Sequence, residues 1–363
     1  MTQLVAPFPW FGGKRTIASE VWKNFGEVRN YVEPFFGSGA VLLSRDNACD
    51  VETVNDADGL LVNFWRAVRC EPEAVAVAAD WPVSETDLMA RHIWLIGRRE
   101  SLTSQLEADP DWYDVKAAGW WCWGACAWIG SGWCSGEGPW QVDGDGRVSE
   151  QPRSGRQSTT AAPGNRGQGV NRQLPHLGDR GRGVNRKLPH LGDRGRGVNR
   201  QLPHLGRGQG VNRQLPHLGD RGRGVAEWFA RLSDRLRDVR ICCGDWTRVL
   251  GDSVTWRHGV TGIFLDPPYD DGAVSYSAGE SGIAGDVRAW ALANGNDERL
   301  RVALCGYREH DDLASAGWRM FRWKARGGFA SQGDGSNQNA AEETIWFSPT
   351  CGDAALPLFA RMT

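Results

Sequence analysis

Tyr31-Val32-Glu33-Pro34-Phe35-Phe36-Gly37-Ser38-Gly39-Ala40 is the stretch whose reading decides the fold. The short apolar run over 28–32 reads as a strand. It stops at Glu33-Pro34, because proline has no amide hydrogen to give a strand ladder. Phe35 to Gly39 reads as a tight turn, and 40–45 as the first turns of a helix. Further along, 51–54 predicts a second strand, Asn55-Asp56 its exit, and 58–68 a helix. Strand, glycine turn, helix, strand is how a doubly wound parallel α/β sheet begins.

The pattern resumes after Val225, with a helix over 226–237 and strands over 239–242, 262–265 and 302–305. Two more strands, 318–323 and 344–347, close the series. One sheet is therefore expected from both ends of the chain, with a long insertion between them. Ser84 followed by Glu85 and Asp87 suits a helix start, and 84–128 reads as mostly helical, forming a separate lobe. Gly, Ser and Asp dominate 130–164, which reads as loop. Next comes a repeat, Gly-Val-Asn-Arg-Gln-Leu-Pro-His-Leu-Gly-Asp-Arg-Gly-Arg, beginning at Gly169 and recurring at Gly183, Gly197 and Gly210, with one residue lost from the third copy. Its period of 14 residues fits no common solenoid, and Pro and Gly break up its few apolar residues, so an irregular insertion is expected.

Charge is uneven along the 363 residues: the net value is −2, yet 166–225 carries thirteen Lys/Arg against three Asp/Glu. Such a block can meet a polyanion even in a near-neutral chain. The nine Cys follow no paired pattern and read as cytosolic thiols. Cys122, Cys126 and Cys134 match no zinc spacing, so no metal is expected. Residues 1–10 lack a charged start followed by an apolar run, and no signal peptide is expected. The uncharged stretch 117–134 reads as a buried helix and turn, being rich in Trp and Gly and poor in aliphatics. Trp120, Trp121, Trp123, Trp128 and Trp133 read as packing residues, with base stacking as the other possibility. His92, His258 and His310 show no partner pattern.

Four motifs can carry chemistry. Asp266-Pro267-Pro268-Tyr269 directly follows an apolar strand, where open α/β sheets bind ligands. An aromatic exocyclic amine is a weak nucleophile because its lone pair is delocalised. Two acceptors aimed at its hydrogens, the Asp266 carboxylate and the Pro267 carbonyl, would draw the nitrogen toward a tetrahedral form. Tyr269 offers a ring to stack on the base. The other reading is a plain strand exit. Glu33 to Gly39 lets the main chain approach a ligand closely, or is a structural turn. Asn55-Asp56 is placed to bind ribose hydroxyls, or forms an Asx turn. Trp10-Phe11-Gly12-Gly13-Lys14 could cradle an anionic group, although Arg15 after Lys14 rules out a P-loop.

Taken in order, these blocks together with Gly244-Asp245-Trp246 resemble the Dam-like, D12-class N6-adenine DNA methyltransferases. The resemblance covers about 7–68 and 241–269, and the 342–347 strand also looks family-like. It implies a Rossmann-like methyltransferase sheet, S-adenosylmethionine as cofactor, duplex DNA as partner and base flipping, and the unpaired cysteines add the expectation of a cytoplasmic setting. On this reading 1–83 is the cofactor-binding part and 84–165 the target-recognition region. Residues 166–225 are the repeats, and 226–363 completes the sheet. Trp10, Gly12, Gly13 and Lys14 would contact the cofactor or the flipped base. Glu33, Pro34, Phe35, Gly37, Ser38 and Gly39 would line the methionine end of the cofactor, Asp56 would hold its ribose, and Asp245 and Trp246 would bracket its adenine. Asp266, Pro267, Pro268 and Tyr269 would bind and activate the amine. Trp246 stands where the family usually has Phe.

The usual recognition hairpin has no match in 130–225. The repeats occupy that place, and Arg172, Arg180, Arg182, Arg186, Arg194 and Arg196 would neutralise phosphates there unless the insertion is inert. An N4-cytosine enzyme shares the chemistry, and a non-catalytic DNA-binding protein that keeps the pocket is the alternative class.

Overall fold

Strand β1 (Asn30–Glu33) is buried at all four positions, as a central strand covered on both faces must be. It pairs in parallel with β2 (Val51–Asp56) on one side and with β6 (Thr261–Leu265) on the other. The computed structural model describes residues 4–10, 14–45, 47–128, 133–134, 140–142, 148–150, 223–268, 282–306, 313–323 and 344–352. Within them, β5 (Val239–Cys243), β7 (Leu300–Gly306), β8 (Arg319–Arg322) and β9 (Thr344–Phe347) complete a seven-stranded sheet in the order β5-β2-β1-β6-β7-β9-β8. The first five are parallel, and β9 runs antiparallel to both β7 and β8. Strands β3 (Trp140–Val142) and β4 (Val148–Glu150) pair antiparallel in a separate two-stranded sheet, so two short strands lie within the 130–164 stretch that reads as loop. The mixed α/β sheet is the architecture that the strand and glycine pattern predicts.

Side chains alternate between two cores, following the period of two of a strand. Tyr31, Phe264, Ala303, Cys305, Ile345 and Phe347 enter one core. Val32, Ile263, Leu265, Val302, Leu304 and Trp346 enter the other. The first core is covered by α1 (Ala18–Phe25), α2 (Gly59–Cys70), α3 (Pro72–Ala79) and α7 (Arg223–Leu236), and the second by α8 (Ile283–Asn294). Helices on both faces make the sheet doubly wound.

Between α3 and α7 the described residues form three further helices, α4 (Glu85–Ile96), α5 (Arg99–Ala108) and α6 (Val115–Ala127). Ser84 caps α4 by accepting the Asp87 amide at 3.1 Å, and Asp114 caps α6 by accepting the Ala117 amide at 2.8 Å. They do not form the separate lobe expected. Trp121 packs edge-on to Phe8 and lies 5.7 Å from Phe64, so α6 shares the core of the first sheet face. Buried Arg66 of α2 donates to the carbonyls of Ile241, Leu106 and Asp109 at 2.9, 3.0 and 2.9 Å, tying the end of α5 to β5. Trp121 and Trp123 are buried, and Trp120, Trp128 and Trp133 pack against the same core.

A second expectation also fails. Residues 40–45 form only a single 3-10 turn, Leu42–Ser44, after which Arg45 is extended. The Leu42 carbonyl accepts from the Arg235 guanidinium at 3.1 Å, a bond from a helix far along the chain that no local pattern announces. No helix among the described residues is long and apolar enough to cross a membrane.

Candidate active site

The parallel register sets Asp56 opposite Cys243 and Glu33 opposite Val54, while Val32 faces Ile263. Glu33-Pro34, Asn55-Asp56, Gly244-Asp245 and Asp266-Pro267-Pro268 therefore leave the carboxyl ends of four strands along one rim. From β1 the chain runs outward to β2 and β5, then returns to β6 and β7 on the other side. The crevice at that reversal, between β1 and β6, is where open α/β sheets place ligands.

The β1 side of the rim is knitted by main-chain hydrogen bonds. Gly37 and Gly39 have φ of 48° and 62°, left-handed values that favour glycine. A Cβ on Gly37 would lie 2.5 Å from Trp10 Nε1, so Trp10 closes over the turn. The Gly37 amide donates to Asp56 Oδ2 and the Asp58 amide to Asp56 Oδ1, both at 2.9 Å. Trp65 Nε1 donates to the Gly37 carbonyl at 3.0 Å. Buried Asn55 gives its amide hydrogens to the carbonyls of Pro34 at 3.1 Å and Gly244 at 2.9 Å, joining three strand ends. Burial pushes the Asp56 carboxyl up to about 6, against the two amides that favour its charged form.

Glu33 is 2% exposed and accepts the Tyr31 hydroxyl at 2.9 Å. Burial holds its carboxyl well above the usual range, and the nearby charges of Asp266 and Asp56 act in the same direction. At the β5 end, Phe35 and Trp246 are stacked rings with centroids 6.1 Å apart and planes 27° apart. Asp245 accepts the Thr247 amide at 2.9 Å and also bonds the Thr247 hydroxyl, so it caps the turn that carries Trp246. On the β6 side, Lys14 Nζ lies 3.2 Å from Asp266 Oδ1. Pro267 is buried and Pro268 half-buried. Among the described residues no group of three His, Cys, Asp or Glu could hold a metal ion.

The structure thus gathers Trp10, Lys14, Glu33, Pro34, Phe35, Gly37, Ser38, Gly39, Asp56, Asp245, Trp246, Asp266, Pro267 and Pro268 around the carboxyl rim. Gly12, Gly13, Tyr269 and the repeat arginines Arg172, Arg180, Arg182, Arg186, Arg194 and Arg196 lie outside the described residues. Sequence reasoning missed Asn55 as the tie between strands, Tyr31 as the donor to Glu33, Trp65 as the clamp on Gly37, and Trp323 beside Lys14. Asn55 carried a signal, an amide at the exit of an apolar strand. Trp65 and Trp323 carried none.

Residues 10–87 match the family model of the D12 class N6 adenine-specific DNA methyltransferases. Two relatives named DNA adenine methylase, from the Classical Ogawa and El Tor Inaba strains of Vibrio cholerae serotype O1, are each 33% identical over 79 residues. The aligned part is 22% of this chain and spans 28% of the length of each relative. The D12 match holds Trp10, Lys14, the glycine turn and Asp56, and it ends before Asp245 and Asp266. Those two reach the matched residues through the sheet register rather than through the matched sequence.

Proposed function

We propose that this chain transfers a methyl group from S-adenosylmethionine to the N6 amino group of adenine in duplex DNA. The observation that carries the reading is the meeting of Asp266, at the end of β6, with Lys14 and Glu33 of the D12-matched stretch at the β1/β6 crevice. The residues present suit the cofactor. Left-handed Gly37 and Gly39 bring bare main chain to the rim, Asp56 stands at the end of β2, and Phe35 and Trp246 offer aromatic faces. Phe35 to Gly39 would seat the amino-acid end, Asp56 the ribose hydroxyls, and Trp246 the adenine.

The cofactor, when bound, supplies an electrophilic methyl on a sulfonium. The protein's own contribution is placement. The Asp266 carboxylate and the Pro267 carbonyl accept the two hydrogens of the target amine, freeing its lone pair for in-line attack. The ring fixes φ at Pro267, and Pro268 restricts the ψ before it, so the Pro267 carbonyl direction is held before substrate arrives. A stacked base cannot present its amine to a rim at the end of a sheet, so the target nucleotide must swing out of the duplex. Arginines of the repeats add sequence-independent affinity for phosphate. The nine cysteines are all free thiols, which supports a reducing, cytoplasmic setting.

The test is transfer of tritiated methyl from S-adenosylmethionine to unmethylated duplex DNA, followed by nucleoside analysis. Label in N6-methyladenine is expected. Label in N4-methylcytosine would keep the chemistry and change the base, and cofactor binding without label would favour a DNA-binding protein that retains the pocket.

A further inference from the structure

Lys14 follows two glycines, and from sequence it belongs with the cofactor contacts. Its surroundings point elsewhere. The residue opens a 3-10 turn, Lys14–Thr16, whose Lys14 carbonyl accepts the Ile17 amide at 3.1 Å as the chain enters α1. Its side chain is 5% exposed, with Nζ 3.2 Å from Asp266 Oδ1 and 5.5 Å above the centre of the Trp323 ring. An ammonium taken this far out of water needs a counter-charge, and the carboxylate of Asp266 supplies it. The indole face adds to this environment, since a desolvated cation is attracted to an aromatic ring. Segments from the start, the middle and the far end of the chain meet at this one ion pair.

The chemistry at Asp266 makes a geometric demand: the carboxylate must not rotate when the amine arrives. A buried cation on Oδ1 meets it. We propose that Lys14 is a positioning residue of the amine-binding side of the crevice, holding the Asp266 carboxylate in one orientation, rather than a ligand of the cofactor. The proposal rests on the methyl-transfer reading above.

The test uses the full-length chain with Lys14→Met, Lys14→Arg, Asp266→Asn and the double variant Lys14→Met/Asp266→Asn. Three quantities are measured for each: the dissociation constant for S-adenosylmethionine by calorimetry without DNA, the single-turnover methylation rate at saturating cofactor, and the thermal midpoint. Lys14→Met should slow transfer by about a hundredfold, while cofactor affinity stays within about threefold of the parent. Lys14→Arg should restore part of the rate. The double variant should be no slower than Asp266→Asn alone, because the two groups act as a unit. If Lys14→Met is unfolded at the assay temperature, Lys14→Arg carries the same test: a lower rate with unchanged affinity supports the proposal. Cofactor affinity weakened tenfold or more with the rate at saturation kept, in either variant, would overturn it and make Lys14 a cofactor ligand. Losses that multiply in the double variant would overturn it too. A parent chain that binds no S-adenosylmethionine defeats the methyl-transfer reading and this proposal with it. A parent that methylates DNA while the variants fail the pattern defeats the proposal alone.

Discussion

The two sides of the crevice are held by different forces. On the β1 side, Asn55 and Asp56 bind Pro34, Gly37, Asp58 and Gly244 through main-chain amides and carbonyls, so architecture and ligand surface are the same atoms. On the β6 side, the Asp266 carboxylate pairs with the buried Lys14 ammonium, and two stiff prolines follow it. The first side should respond to substitution with lost stability and lost cofactor binding together. The second should lose chemistry while the fold and the cofactor site persist.

Gly37→Ala should show the largest structural effect. A side chain at φ 48° costs about 1–2 kcal/mol by itself. Its Cβ would also sit 2.5 Å from Trp10 Nε1. Urea unfolding should show a total loss of about 2–3 kcal/mol, with cofactor affinity reduced as well. Parent-like stability and affinity would show that the turn is not the cofactor's seat. Asn55→Leu comes next. It strands two carbonyls in a buried place, and a loss of about 2 kcal/mol is expected by the same measurement. Asp266→Asn, by contrast, takes the counter-charge from buried Lys14, so a stability loss of about 1–3 kcal/mol is expected by the same measurement, while cofactor affinity stays within about threefold; a tenfold loss of affinity would erase the distinction between the two sides.

The pH response of Asp56 is smaller and distinct in form. Its folded carboxyl sits at about 6, above an unfolded value of about 3.9. Because the folded value is raised, the folded chain holds this proton more tightly. The group's contribution to stability therefore falls as pH rises from about 4 to about 6, and is level above that. If the ionised form receives the ribose, the calorimetric dissociation constant should rise about tenfold between pH 7 and pH 5. Asp56→Asn should bind weakly with no such slope, and an identical slope in that variant would place the titrating group elsewhere. Removal of 169–224 is expected to have the mildest effect. Cofactor affinity should be unchanged, and the plot of log binding constant against log salt should become shallower. An unchanged slope would identify the repeats as an inert insertion.

Much of this was legible in the sequence because the informative signals were local. Apolar runs ended by Gly, Pro or an acidic exit located β1, β2, β5, β6 and β7, and the residues at the ends of the first four became the rim. Where the deciding partner lies far along the chain, local reading failed. The 40–45 segment reads as helix until Arg235 takes the Leu42 carbonyl. The tryptophans of α6 announce burial but not which surface buries them, so a separate lobe was expected where Phe8 and Phe64 form a shared core. Lys14 was grouped with its sequence neighbours, and only the fold brings Asp266 and Trp323 to it. The helices α1, α3 and α8 drew no expectation at all, since their apolar residues mark no boundary that stands out.

The central claim is that the D12-matched stretch near the start of the chain and Asp266 at the end of β6 form one methyl-transfer site with separable parts. Asp266→Ala tests it most directly, with single-turnover methyl transfer to duplex DNA and calorimetric binding of S-adenosylmethionine measured on the same preparation. The account predicts that transfer falls by about a thousandfold while the dissociation constant stays within about threefold. Transfer at the parent rate would contradict it.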